Sequence, residues 1–211
     1  MTHTLNRTGL TEERSGEEII FLAMVHAKYK NEKAEAMKEL ASIIVKYNPS
    51  NFIGAPTGFT PEVLVKVAGR LSIITAVFHD METVTELIHE IKSKKLGISI
   101  VLSGLFSDIN HVCQKTGLKE HTHNISLGVF GQIQDLPEKE VMDITTQCGH
   151  ALISPHYVKH LAKKVSKGKM TSKEAAGLLI KPCVCGIGNK ERIGQILDSM
   201  VESNLKKDTV H

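Results

Sequence analysis

Apolar positions along this chain follow helical spacing most clearly in its C-terminal third. In "NKERIGQILDSMVESNL", residues Ile193, Ile196, Leu197, Met200 and Val201 fall at i, i+3, i+4, i+7 and i+8, one continuous stripe on a helix. Asn189 stands just before that stripe as its cap. "TSKEAAGLL" opens with a Thr-x-x-Glu capping box, Thr171 and Glu174, and Pro182 closes the segment. "SPHYVKHLAKKVSKG" starts at Ser154-Pro155 and stops at Gly168. "DLPEKEVMDITTQCG" reads as another helix, with Asp135 as cap, Glu138 three residues later and Gly149 as the stop. Residues 135–211 are therefore expected to be wholly helical.

The earlier pattern mixes periods. Residues 16–47 read as helical, with Ile20, Ala23, Met24 and Ala27 and then Met37, Leu40, Ile44 and Val45, divided by the polar "KYKNEKAEA". "NPSNFIGAPTGFTP" is a loop, and Thr60-Pro61 starts a helix after it. "LSIITAVFHD" fits either a strand or a buried helix, and Asp80 caps a helix over 81–95. "LGISIVLSG" (96–104) is a compact β-branched run bounded by glycine, which predicts a buried strand. A helix at 106–116 and a second strand at "NISLGVFG" (124–131) follow. Strand, helix, strand in that order predicts a parallel pair. The expected fold class is thus α/β: a small, mostly parallel sheet with flanking helices, then a helical metal-binding region. The expected domains are 1–134, with the first 14 or so residues a disordered tail, and 135–211.

Composition narrows the possibilities. The 211 residues suffice for a sizeable core, 41% are hydrophobic and 23% charged. Aromatics make up 4%, with no Trp, which argues against binding single-stranded nucleic acid by stacking. No run approaches the ~18 apolar residues of a membrane span, and the polar N-terminus lacks a signal-peptide pattern. The expected location is cytoplasmic, where thiols stay reduced. The net charge of +3 is uneven: residues 1–150 hold 15 basic against 18 acidic residues, and 151–211 hold 11 against 5. The basic end can face an acidic redox partner, or be a solvated helix surface.

The chemistry lies in four cysteines. Cys183 and Cys185 flank Val184 in "KPCVCGIGN", between two well-marked helices. Pro182 fixes one dihedral, Gly186 and Gly188 allow close backbone approach, and the helix after Asn189 adds positive potential at its start. That setting suits an anionic, thiolate-held group. Cys148, in "TTQCGH", is the natural third ligand: it shares the inward stripe of Val141 and Ile144, and a hairpin of the two intervening helices returns the chain to Cys183. Cys113, beside Ile109 and Val112, is either a fourth ligand or a small buried hydrophobe. An iron–sulfur cluster, of the four-iron type, is the expected cofactor, and an oxygen-sensitive cluster points to an anaerobic source. Zinc held by Cys148, His150, Cys183 and Cys185 is the alternative.

Two kinds of function follow. An open cluster iron could bind a small-molecule substrate as Lewis acid, with His150 as proton carrier, for lyase-type or sulfur-transfer chemistry. A saturated cluster would serve electron transfer, and a zinc site would staple an interaction module. Other candidates have plainer readings: His121 and His123 lead into a strand, His156 and His160 sit on a lysine-rich helix face, and Ser103, Gly104, Ser107 and Asp108 follow a strand end. "CGIGNKERIG" has the wrong glycine spacing for a dinucleotide fingerprint.

Overall fold

A computed structural model describes residues 5–208 of the chain, with side chains as far as residue 203. It divides into two compact units. One comprises Leu10–His123 together with Val184–Ile187; the other comprises, of the described residues, those up to Gly9, Asn124–Cys183, and those from Gly188 on.

The first unit is built on a four-stranded sheet. Its strands are β1 (Ile19–Met24), β2 (Asn51–Phe52), β3 (Ile73–Phe78) and β4 (Ser99–Ser103), in the spatial order β2-β3-β1-β4. Every neighbouring pair is antiparallel, with Phe21 opposite Ala76 on one side and Leu102 on the other. The mostly parallel sheet expected from sequence is therefore overturned. One cause lies in "IIFLAM", residues 19–24, where Ile20, Ala23 and Met24 fit helical spacing although the segment is a strand. In a central strand both faces are covered, so the residues form a continuous apolar run rather than an alternation. Five of its six residues are buried. Once β1 lies between β3 and β4, those two still run the same way, joined by a helical crossover, but they do not touch as a parallel pair.

The second predicted strand also fails. Residues 124–131 lie outside the sheet, and Leu127 and Phe130 are each 78% exposed. No backbone–backbone hydrogen bond among the described residues involves 119–130. A strand needs a neighbour to complete its hydrogen bonds, and apolar alternation cannot supply one. The 96–104 strand exists as β4, but as a half-exposed edge rather than a buried strand.

Helices α1 (Ala34–Lys46), α2 (Pro61–Val67), α3 (Met81–Lys94) and α4 (Phe106–Thr116) complete this unit. Phe21, Ala76 and Phe78 from the strands meet Leu40 and Ile44 of α1 and Leu87 of α3 in one core. Each such buried large side chain contributes about 1.5–3 kcal/mol relative to exposure. The helix starts follow the predicted chemistry: Thr60 accepts from the Val63 N–H, and Asp80 from the Thr83 N–H.

The second unit is helical: α5 (Lys139–Thr145), α6 (Pro155–Ser166), α7 (Ser172–Leu179) and α8 (Lys190–Asp208). α5 packs on α6 and α8, and α7 packs on α6 and α8. Buried Val141, Ile144, Val158, Leu161, Ile193 and Leu197 fill its interior. The Thr171–Glu174 capping box is present. Asp135 instead ends a short 3-10 turn, and α5 begins after Glu138 without a side-chain cap.

Of the tail expected over residues 1–14, residues 1–4 lie outside the described residues. Arg7 and Thr8 are fastened to the helical unit. Arg7 Nη2 donates to the Gln147 carbonyl at 2.8 Å, and the Thr8 N–H to Thr146 Oγ1 at 3.1 Å. The Arg192 guanidinium donates to the Thr8 carbonyl. Among the described residues, no helix is long and apolar enough to cross a membrane.

Candidate thiol site

Two of the four cysteines come together inside the helical unit. Cys148 is 2% exposed and Cys183 is fully buried. The α6–α7 hairpin brings the chain back, as its two short helices and their caps require. Cys148 lies in the turn that leaves α5, where its N–H donates to the Thr145 carbonyl at 3.2 Å and its own carbonyl accepts from Ala151 at 2.9 Å. Cys183 follows α7, its N–H donating to the Ile180 carbonyl at 2.8 Å.

The Cys148 thiol donates a hydrogen bond to Cys183. Its sulfur also accepts from the backbone N–H groups of His150 and Leu152. The turn can wrap around the sulfur because Ala151 adopts a left-handed conformation, φ 55°. A left-handed alanine costs about 1–2 kcal/mol, and such strain concentrates where a loop must hold an unusual shape. The Cys148 thiol is pushed well above its ordinary range, first by the hydrogen bond to Cys183 and next by burial. The two N–H groups act the other way and favour the thiolate. The Cys148 thiol is thus held neutral, in a cradle whose two N–H groups would stabilise its sulfur once the proton is removed.

The start of α8 closes over the pair. A Cβ on Gly188 would lie 3.8 Å from Cys183 Sγ and 3.2 Å from Ile180 Cγ2, so the backbone passes close to the sulfur. Asn189 is fully buried; its N–H donates to Gln147 Oε1 at 2.9 Å, and its Oδ1 accepts from the Arg192 N–H at 3.3 Å.

The other predicted ligands lie in the sheet unit. The Cys185 carbonyl accepts from Thr75 Oγ1, and the Val184 carbonyl accepts from the Gly54 N–H at 3.2 Å. Gly186 has φ 65°, and a Cβ there would sit 1.9 Å from the Phe52 carbonyl oxygen, so only glycine fits. Residues 184–187 are thus held along β2 and β3, and Cys185 is half-buried there. Cys113 lies half-buried on α4 beside Val112, its thiol raised by burial and then by Glu120. Among the described residues, no three His, Cys, Asp or Glu side chains come together as a metal site. The pair offers two of the positions a metal group would need.

His150 is exposed, and it is its backbone N–H that faces the sulfur. Asp108 is buried and accepts from Ser15 Oγ at 2.5 Å and the Gly16 N–H at 3.0 Å, which accounts for it as a structural tie. His121, His123, His156 and His160 are exposed. Sequence reading missed Gln147, Ala151 and the fully buried Arg192. A left-handed alanine leaves no mark in a sequence, and "NKER" reads as a solvated helix start. Gln147 could have been found from its spacing, three residues after Ile144 on the same buried face. Compared with known proteins, the chain matches no protein-family model, no curated protein and no solved structure.

Proposed function

We propose that this chain is a thiolate metal-binding protein whose site is founded on Cys148 and Cys183, with an iron–sulfur cluster as its occupant. The observation that carries the reading is the cradle itself: two buried thiols in contact, with the His150 and Leu152 N–H groups already aimed at one sulfur. Backbone N–H groups gathered in this way stabilise thiolates and cluster sulfurs, which are anionic. Metal binding displaces the two protons, since the thiolate and not the thiol is the ligand.

The pair supplies two thiolates, and a four-iron cluster takes more. Cys185, two positions beyond Cys183, is the residue the reading assigns as the next ligand. When bound, the cluster would supply Lewis-acid or electron-transfer chemistry. The protein's own part is to hold the sulfurs, exclude water from them and compensate their charge through the turn at 149–152.

The test is iron, sulfide and zinc content of full-length protein purified without oxygen, with its visible spectrum, alongside Cys148→Ser and Cys183→Ser. Iron and sulfide with broad visible absorption, lost in both variants, is the expected result. Zinc alone, lost in both variants, would keep the thiolate site and replace its occupant. A folded protein with no bound metal, or metal retained in both variants, would overturn the reading.

A further inference from the structure

We infer that residues 7–9 form a latch that holds the buried thiols Cys148 and Cys183 shut, and that its local release opens them to solvent. The inference concerns access, and it stands whether or not a metal binds there. The latch lies in the helical unit, which contains the residues up to Gly9 as well as both cysteines.

The latch closes a ring of hydrogen bonds. Arg7 Nη2 donates at 2.8 Å to the carbonyl of Gln147, the residue before Cys148. Gln147 Oε1 accepts from the Asn189 N–H at 2.9 Å, and Asn189 Oδ1 accepts from the Arg192 N–H at 3.3 Å. The Arg192 guanidinium returns to the latch by donating to the Thr8 carbonyl. The Thr8 N–H adds a bond to Thr146 Oγ1 at 3.1 Å. The ring thus fastens the segment entering Cys148 to the start of α8. Gly188, just before Asn189, passes so near Cys183 that an added Cβ would lie 3.8 Å from its sulfur. Loosening the ring therefore loosens the chain beside both thiols, which are now 2% and 0% exposed.

The latch is built to lift. None of residues 5–9 is buried, so polar contacts hold it rather than a core of its own. Such a segment detaches at less cost than global unfolding, and water then satisfies the bonds it gave up. Gly9 fixes its seat: φ is 75°, and a Cβ there would lie 2.4 Å from the carboxyl of buried Asp143. A side chain at residue 9 cannot lie down in the closed position.

The experiment pulse-labels full-length, reduced, chelator-stripped protein with iodoacetamide under native conditions and maps each cysteine by peptide mass. In the wild type, labelling of Cys148 and Cys183 should rise only shallowly with urea below the unfolding midpoint, because local opening exposes little surface. Gly9→Ala and Arg7→Met should each speed labelling of both thiols about tenfold, with the shallow urea dependence kept and with Cys113 and Cys185 unchanged. That shallow dependence separates release of the latch from unfolding of the helical unit. Wild-type labelling that climbs steeply with urea, an unchanged rate at either thiol in a folded variant, or equal acceleration of all four cysteines would overturn the inference. If Gly9→Ala does not fold, the wild type and Arg7→Met still decide it. Metal content, measured before stripping, reports separately on the metal reading.

Discussion

Asn189 and Gln147 are joined by a hydrogen bond of 2.9 Å, from the Asn189 N–H to Gln147 Oε1. The bond links the residue preceding Cys148 to the start of the helix that follows Cys183. Gln147 also donates to the Asp143 carbonyl at 3.1 Å and is fully buried. Gln147→Met keeps the volume and removes the acceptor, leaving a buried N–H. The expected loss is about 1–3 kcal/mol, read as a lower urea midpoint with an unchanged slope. A shift under about 0.5 kcal/mol would mean the Asn189 N–H finds another acceptor.

Gly186→Ala meets two obstacles at once. Its φ is 65°, and the added Cβ would lie 1.9 Å from backbone oxygen, which cannot rotate away as a side chain does. We expect destabilisation of about 3 kcal/mol or more, measured by thermal and urea unfolding. Unchanged stability would show that the 184–187 segment does not depend on its seat beside Phe52.

Ala151 gives the opposite test. Ala151→Gly relieves about 1–2 kcal/mol of left-handed strain, offset by the greater freedom of glycine in the unfolded chain, about 0.5–1 kcal/mol. The net expectation is a stable variant, equal to the parent or slightly better. Ala151→Val should cost on the order of 2 kcal/mol and weaken metal retention by moving the two N–H groups. Equal stability of the valine variant would contradict a left-handed residue here.

Asp80 sets a pH dependence. Its carboxylate accepts from Thr83 Oγ1 at 2.5 Å and the Thr83 N–H at 2.7 Å, and the Thr83 hydroxyl is the main influence holding it below the ordinary carboxylate range. A depressed folded pKa stabilises fully above the unfolded value of about 3.9 and loses that contribution as pH falls through the folded one. Asp80→Ala should therefore cost about 1 kcal/mol near neutral pH, with the gap to wild type narrowing below about pH 4. A gap that stays constant from neutral to acid would show that the charge plays no part in the cap.

Local signals carried much of the architecture. Thr60, Asp80, Thr171 and Asn189 were all legible as caps, because a short polar side chain before an apolar period has few other uses. The apolar stripe of α8 was equally plain. What failed was the assembly of the sheet. Ile19–Met24 has helical spacing and strand composition together, and only burial on both faces decides between them. Ile125, Leu127 and Val129 alternate as a strand would, yet pairing depends on a partner elsewhere in the chain. The cysteines divide in the same way. Cys148 and Cys183 meet because two short helices lie between them, a distance the sequence encodes in its caps. Cys183 and Cys185 belong to different units although one residue separates them, because Thr75, Gly54 and Phe52 hold the backbone of the next stretch, and no local pattern announces that.

The excursion of Val184–Ile187 into the sheet unit has a consequence for dissecting the molecule. A gene fragment ended at His123 would encode every strand yet omit the Cys185 carbonyl that Thr75 donates to and the Val184 carbonyl that Gly54 donates to. Thr75 is 1% exposed, so its hydroxyl would be stranded in the fragment. The sheet therefore depends on a piece of chain made some 60 residues later, and during synthesis from the N-terminus its last hydrogen bonds must wait until α5, α6 and α7 have been made.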